Sequence, residues 1–279
     1  GGVVCGAARD DRLRVAHTAV KNTHELPRLR GAKPVQSDIG ETYQQVRLYL
    51  DQGRQVLFSG TPCQVDGLYR YLGEHPERLV TCDVACSGVC SPGVWARLVS
   101  SMAYVKQPRC GNLSGDQERR FRVLFEGGGR YDAPAPKSEL GRGLTRGLFL
   151  RPACYHCPYA GTDRTGDLTL ANFAGGDLPV EEKRKGVSLL LINTAKGAQI
   201  FDVLPLHRQA RTLEEAAACD AALRQPPTLT EERSKFFDAL EQLPFQQVRT
   251  RYLSAVQHRE GVGQRLRELL HRGGKEKKS

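Results

Sequence analysis

Four cysteines carry most of the chemistry available to this sequence of 279 residues. Cys63 stands in Ser59-Gly60-Thr61-Pro62-Cys63-Gln64 and Cys86 in Ala85-Cys86-Ser87-Gly88. The pair Cys154 and Cys157 stands in Arg151-Pro152-Ala153-Cys154-Tyr155-His156-Cys157-Pro158. Each single cysteine follows an apolar, strand-like run at a glycine-containing turn, so two singles and one C-x-x-C can converge on one metal centre. Thiolate sulfur selects Zn, Cu(I) or an iron–sulfur cluster, and four thiolates match either a tetrathiolate zinc or a cubane. The two-residue gap lets one turn aim both sulfurs of the pair at a metal, and Pro158 prevents the chain from continuing as helix, as in the Cys-Pro ending of bacterial ferredoxin motifs. Taken alone, the pair also reads as a redox-active dithiol or a zinc site. His156, between the two, reads as a solvent-facing or hydrogen-bonding side chain rather than a ligand.

Short elements must position these thiols. The chain enters at once on an apolar, strand-like Val3-Val4-Cys5-Gly6-Ala7, and Ser37 to Tyr49 reads as a helix capped by Asp38, with Ile39, Tyr43, Val46 and Leu50 at helical spacing. Gln55–Phe58 reads as a strand and Gln64–Leu72 as a helix that buries Val65, Leu68 and Leu72. Arg78–Ala85 reads as a strand, and Pro92–Ala103 as a helix opened by Ser91 and Pro92. Thr61, Pro62 and Cys63 thereby fall at a helix N-terminus beyond the carboxyl end of a strand. Unpaired N–H groups and the positive end of the dipole favour a thiolate there. Cys82, Val84 and Cys86 share one face by strand parity, and Cys90 lies close by. Arg119–Phe125 and Arg130–Ala133 flank a glycine run and read as a β-hairpin. Asp167–Leu170 and Ser188–Asn193 read as further strands, and from Leu213 the pattern is helical, broken at Pro226-Pro227 and Pro244. The fold class expected is α/β, with a mixed, partly parallel sheet flanked by helices, a β-hairpin insertion and a helical C-terminal region. The division expected is an α/β domain over 1–205 and a helical extension with a basic tail over 206–279.

A chain of this length buries a full core without disulfide staples, and nine irregularly spaced cysteines argue for reduced thiols and metal ligation. No apolar stretch is long enough to span a bilayer and no secretory signal is visible, so the expected location is the cytoplasm. The net charge of +10 is uneven: from Arg249 onward nine Lys/Arg face three Asp/Glu, a net of +6. No aromatic interleaving or nucleic-acid motif accompanies that charge, so a nucleic-acid partner is not expected, and the tail reads as a solvated end. Cys5, Cys110 and Cys219 read as isolated structural thiols.

The order of the motifs resembles the beta-subunit family of coenzyme F420 hydrogenases and dehydrogenases. The resemblance is carried by Val56-Leu57-Phe58-Ser59-Gly60-Thr61-Pro62-Cys63-Gln64 and by Cys86-Ser87-Gly88-Val89-Cys90-Ser91-Pro92. It continues in Leu150-Arg151-Pro152-Ala153-Cys154-Tyr155-His156-Cys157-Pro158-Tyr159-Ala160-Gly161 and Gly186-Val187-Ser188-Leu189. It implies an iron–sulfur flavoprotein oxidoreductase in which Cys63, Cys86, Cys154 and Cys157 hold a [4Fe–4S] cluster, with Cys90 a local substitution. It also implies bound FAD, contacted by Gly60, Thr61 and Gln64 with Lys33 and Ser37, and electron transfer between an F420-like or other hydride carrier and a ferredoxin-like partner. Members usually carry a ferredoxin-like segment and a Ser-Gly-Gly helix ahead of this point, so an N-terminal truncation is expected. Ser87 stands where the family usually has histidine, and Asn172 and Ala174 depart from its usual Gly-Asp-Phe-Trp-Gly. The reading from a different class is a non-catalytic binding or scaffold protein in which the same four cysteines hold a structural zinc.

Overall fold

Val56 to Leu72 folds as its residue pattern dictates. Val56 and Phe58 turn inward on strand β3 (Val56–Gly60), the chain turns at Thr61, and Pro62 opens helix α2 (Pro62–Leu72), whose Val65, Leu68, Tyr69 and Leu72 are buried. Proline suits that first helical position because its missing N–H has no intrahelical partner there. Gly73 closes the helix in the left-handed conformation, with φ of 76°.

The computed structural model describes residues 1–102, 108–113, 120–125, 128–173, 175 and 178–254, with the backbone alone at 108–113, 183 and 184. Before β3 come β1 (Val3–Arg9), β2 (Val15–Val20), a 3-10 helix at Thr23–Leu29 and α1 (Thr42–Asp51). After α2 come β4 (Leu79–Val84) and α3 (Pro92–Met102), then β5 (Pro108–Leu113), β6 (Arg120–Phe125), β7 (Arg130–Pro134) and α4 (Glu139–Thr145). A 3-10 turn at Pro152–His156 leads to β8 (Leu168–Phe173), α5 (Val180–Lys185), β9 (Val187–Ile192) and α6 (Ala195–Asp202). The chain continues through α7 (Leu213–Cys219), α8 (Glu231–Gln242), α9 (Phe245–Val248) and a π-helical turn at Arg249–Leu253. The basic run after Ser254 lies outside the described residues, as do Ala174 and the side chain of Cys110.

Six strands form one sheet in the order β2-β1-β3-β4-β8-β9. The four central strands run parallel, and antiparallel partners, β2 and β9, close the two edges. The fold class read from the sequence is the one observed: a mixed, mostly parallel sheet flanked by helices. The hairpin of β6 and β7 gains a third strand, β5, and forms a separate antiparallel sheet.

One core lies between β1, β3 and β4 and the helices α1 and α2, where Cys5, Val46, Val56, Phe58 and Leu68 pack. A second, larger core joins α3, the small sheet, α4 and the C-terminal helices through Trp95, Leu98, Phe121, Phe149 and Phe236. Trp95 donates its indole N–H to the carbonyl of Leu13 (2.8 Å) and tilts against Phe121.

Helix α1 begins later than the sequence reading placed it. Asp38 does not cap it: its backbone pairs with β2, through His17 N–H to Asp38 O (2.7 Å) and Asp38 N–H to Val15 O (2.9 Å). Those bonds hold Asp38 extended along β2, and Glu41 precedes the first helical residue, Thr42.

Candidate functional site

Two neighbouring parallel strands deliver the single cysteines. β3 and β4 pair in register from Val56↔Leu79 to Gly60↔Asp83, so both chains leave the sheet at the same edge. Beyond β3 the turn into α2 leaves Cys63 exposed at the second helical position, its sulfur 3.1 Å from the hydroxyl of Thr61. Beyond β4 the chain passes Cys86, half-buried, and turns at Gly88 with φ of 98°.

The C-x-x-C turn is brought against this edge by ladders and side chains. Cys90 bridges to Leu150, Ser91 N–H donates to Phe149 O (3.0 Å), and Arg151 N–H donates to Val89 O (3.2 Å). A Cβ placed on Gly88 would stand 3.3 Å from the Cβ of Cys154, so the two turns are in direct apposition. Past Cys157, the Tyr159 hydroxyl donates to Asp66 Oδ2 on α2 (2.6 Å), which ties the loop to the helix carrying Cys63.

The electrostatics report the same convergence. Burial pushes the Cys86 thiol up to about 12, and negative charge on Cys63, Cys154 and Cys157 pushes it the same way. Burial also raises Cys157, with Cys63 and Cys154 adding to the effect, while hydrogen bonds from the backbone of Tyr159 and Ala160 oppose it. Among the described residues, no three Cys, His, Asp or Glu side chains stand close enough to hold one metal ion. The four thiols act on one another electrostatically, and a set of four thiolates suits a tetrathiolate zinc or a cubane alike.

Cys90 belongs elsewhere. It is fully buried in the larger core with Val35, Val94 and Leu148, and its thiol donates to Ser91 O (3.3 Å). Burial raises its pKa to about 12. Cys5 points from β1 into the smaller core, Cys82 is buried on β4, and Cys219 is half-buried at the end of α7.

Beside Cys86 opens a cavity of about 630 Å³, lined by the carboxyl ends of β3 and β4, by His17, and by the segment from Leu29 to Ser37. Such a volume lies within the roughly 300–1,000 Å³ of small-molecule and cofactor sites. All five residues expected from the sequence to contact a flavin line it: Lys33, Ser37, Gly60, Thr61 and Gln64. Four of them, Lys33, Ser37, Thr61 and Gln64, have their polar atoms committed within the protein. Lys33 Nζ donates to the carbonyls of Leu29 (2.8 Å), Arg30 (2.9 Å) and Gly31 (3.0 Å), and burial, then Arg9, lower its pKa to about 8.

Gln64 and Ser37 belong to a buried chain that sequence reasoning missed. Gln64 Oε1 accepts the Thr61 N–H (3.0 Å), which orients the amide so that Nε2 donates to Ser37 Oγ (2.9 Å). Ser37 in turn lies 2.8 Å from Nδ1 of His17, whose Nε2 lies 3.1 Å from the carbonyl of Ser59. A carbonyl only accepts, so Nε2 carries the proton and Nδ1 accepts from the Ser37 hydroxyl. Burial, reinforced by Lys33, lowers the His17 pKa to about 4, and the ring stacks on Phe58 at 5.1 Å. His17 is therefore neutral, and the chain fixes Thr61 and Gln64 without exposing a spare donor. The polar groups left to face a ligand are mainly the backbone at Gly60 and the side chains of Arg30 and Ser87.

An α/β sheet with cysteine-bearing turns at the carboxyl ends of adjacent strands, a C-x-x-C turn set against one of them and a neighbouring cavity is the arrangement in which open α/β sheets keep their ligand sites. The chain belongs to the coenzyme F420 hydrogenase/dehydrogenase beta-subunit family, whose C-terminal model matches residues 53–217. A solved structure similar to it is the F420-reducing [NiFe] hydrogenase complex from Methanosarcina barkeri, studied by xenon derivatization. The identity is 16% and the TM-score 0.48 over 72% of this chain, which spans 65% of that chain's length. No curated protein matches the chain.

Proposed function

We propose that this chain is an iron–sulfur flavoprotein oxidoreductase acting in the cytoplasm. Cys63, Cys86, Cys154 and Cys157 would hold a [4Fe–4S] cluster, and the cavity between Gly60 and Lys33 would hold the flavin, as FAD. The observation that carries this reading is the meeting of two strand-end thiols with the C-x-x-C turn, through the Cys86 turn pressed on Cys154 and the mutual electrostatic effect of the four thiols. When both groups are bound, the flavin accepts a hydride as an electron pair and the cluster passes electrons one at a time. The chain's own residues orient and exclude: the neutral His17–Ser37–Gln64 chain fixes the Gly60-Thr61 turn, and the apolar wall of Val4, Ala7, Leu26 and Leu29 keeps water from that side of the cavity. An F420-like deazaflavin or another hydride carrier is the substrate class proposed, and a ferredoxin-like electron-transfer protein is the partner.

Anaerobic purification with iron, sulfide and flavin analysis tests this reading. A brown protein with absorption near 400 nm is expected, and Cys→Ser at position 63, 86, 154 or 157 should remove most of the iron. Cys90→Ser should keep the iron while costing about 1–3 kcal/mol of stability for a buried hydroxyl. A colourless protein with one zinc per chain would replace the reading by a structural zinc site on the same four thiols. Full iron in Cys86→Ser would displace that ligand.

A further inference from the structure

Arg164 takes no part in the function proposed above, yet it is among the most thoroughly bonded side chains near the site. Its side chain is 0% exposed, as is that of its ion-pair partner, Asp83. Nη2 donates to Asp83 Oδ1 (2.6 Å) and to the carbonyl of Val84 (3.0 Å). Nη1 donates to the carbonyls of Tyr159 (2.9 Å) and Gly161 (3.3 Å), and Nε donates to Thr169 Oγ1 (3.3 Å). The second oxygen of Asp83 accepts the N–H of Gly166 (3.0 Å).

A buried ion pair is a poor means to stability, because removing two charges from water offsets most of their attraction and an apolar pair of like volume often serves as well. An apolar pair cannot, however, bridge backbone carbonyls of two separate segments. One segment bridged here, Tyr159 to Gly161, closely follows Cys157. The other, Val84, lies two residues before Cys86. The planar guanidinium fork reaches both at once, which the single ammonium of lysine cannot.

We propose that Arg164 is a positioning residue that clamps the Cys157 loop to the end of β4 and so sets the span between Cys157 and Cys86. The inference rests on the cluster reading above. Asp83 holds the guanidinium in place and supplies the compensating charge.

The test compares anaerobically purified wild type with Asp83→Asn/Arg164→Gln, which removes both charges together and leaves no buried ion unpaired. Arg164→Lys keeps the ion pair and loses the fork, and it carries the test should the double variant fold poorly. Three quantities are read: the thermal midpoint, iron release to a chelator far below that midpoint, and hydrogen exchange of the Ala160 and Gly161 amides. A variant that keeps the wild-type midpoint should release iron about 10- to 100-fold faster, the usual loss when a group supporting a metal ligand is removed, with faster exchange at both amides. Iron release that merely follows the midpoint from variant to variant would reduce Arg164 to a stabilising residue and overturn the clamp. Wild-type protein without iron would overturn the cluster reading and this inference together. Iron-loaded wild type and a variant with the wild-type release rate would overturn the clamp alone.

Discussion

Substituting Gly88 by alanine tests the apposition of the two cysteine turns directly. Gly88 holds φ of 98°, where an L side chain costs about 1–2 kcal/mol. The new methyl would also stand 2.9 Å and 3.2 Å from the two terminal carbons of Leu150 and 3.3 Å from the Cβ of Cys154. Leu150 is 2% exposed and cannot swing into solvent, so overpacking adds about 1–3 kcal/mol. The sum, about 2–5 kcal/mol, lowers the thermal midpoint by about 5–15 °C for a chain of this size. Gly73→Ala is the matched control: φ is 76°, but nothing stands within 4 Å of its Cβ, so only strain applies. Urea and thermal unfolding of both variants measure the difference, and iron content of the purified proteins reads the consequence for the site. Gly88→Ala should lose iron in proportion to the displacement of Cys154, whereas Gly73→Ala should retain it. Equal unfolding penalties with equal iron would mean that the Cys86 and Cys154 turns do not press on each other.

Two further perturbations follow from the packing around the cavity and the larger core. His17 has its pKa lowered from 6.5 to about 4, so the unfolded chain binds the extra proton between those values and stability falls by about 3 kcal/mol as pH drops from 6.5 to 4. Urea unfolding across that range should show this slope, and His17→Gln should remove it; an unchanged slope would place the proton uptake elsewhere. Trp95→Phe removes the donor to the Leu13 carbonyl and should cost about 1–3 kcal/mol in the same assay, and a smaller cost would show that this carbonyl finds another partner.

The strands and helices around the single cysteines were legible because local signals agree there. Thr61 and Pro62 start α2, Val65, Leu68 and Leu72 recur on its buried face, and β3 ends at the glycine that permits the turn. The hairpin was legible from its glycine run, but β5, which joins it, lacks the alternation of a half-buried strand. Asp38 misled because an Asp before an apolar periodicity has the composition of a cap. Only the pairing of its backbone with β2, set by residues some twenty positions away, shows otherwise. The same long-range pairing buries His17, which no local motif marks. The Asp83–Arg164 pair left one faint trace: a carboxylate inside the apolar run of β4 cannot be buried without a cation. Its partner lies 81 residues on, beyond the reach of any sequence window.

The delivery of the four thiols from three separate turns has a consequence for how the centre is made. In a ferredoxin-type motif most of the ligands lie within a dozen or so residues, and a short peptide can gather iron. Here they are spread from position 63 to position 157 and meet only after β3 and β4 have paired and the loop before β8 has docked. Loop-closure entropy over such separations disfavours assembly on the unfolded chain, so for the proposed centre folding would precede loading. Cys63, the exposed thiol of the four, would then be the first of the proposed ligands that an incoming metal or cluster meets.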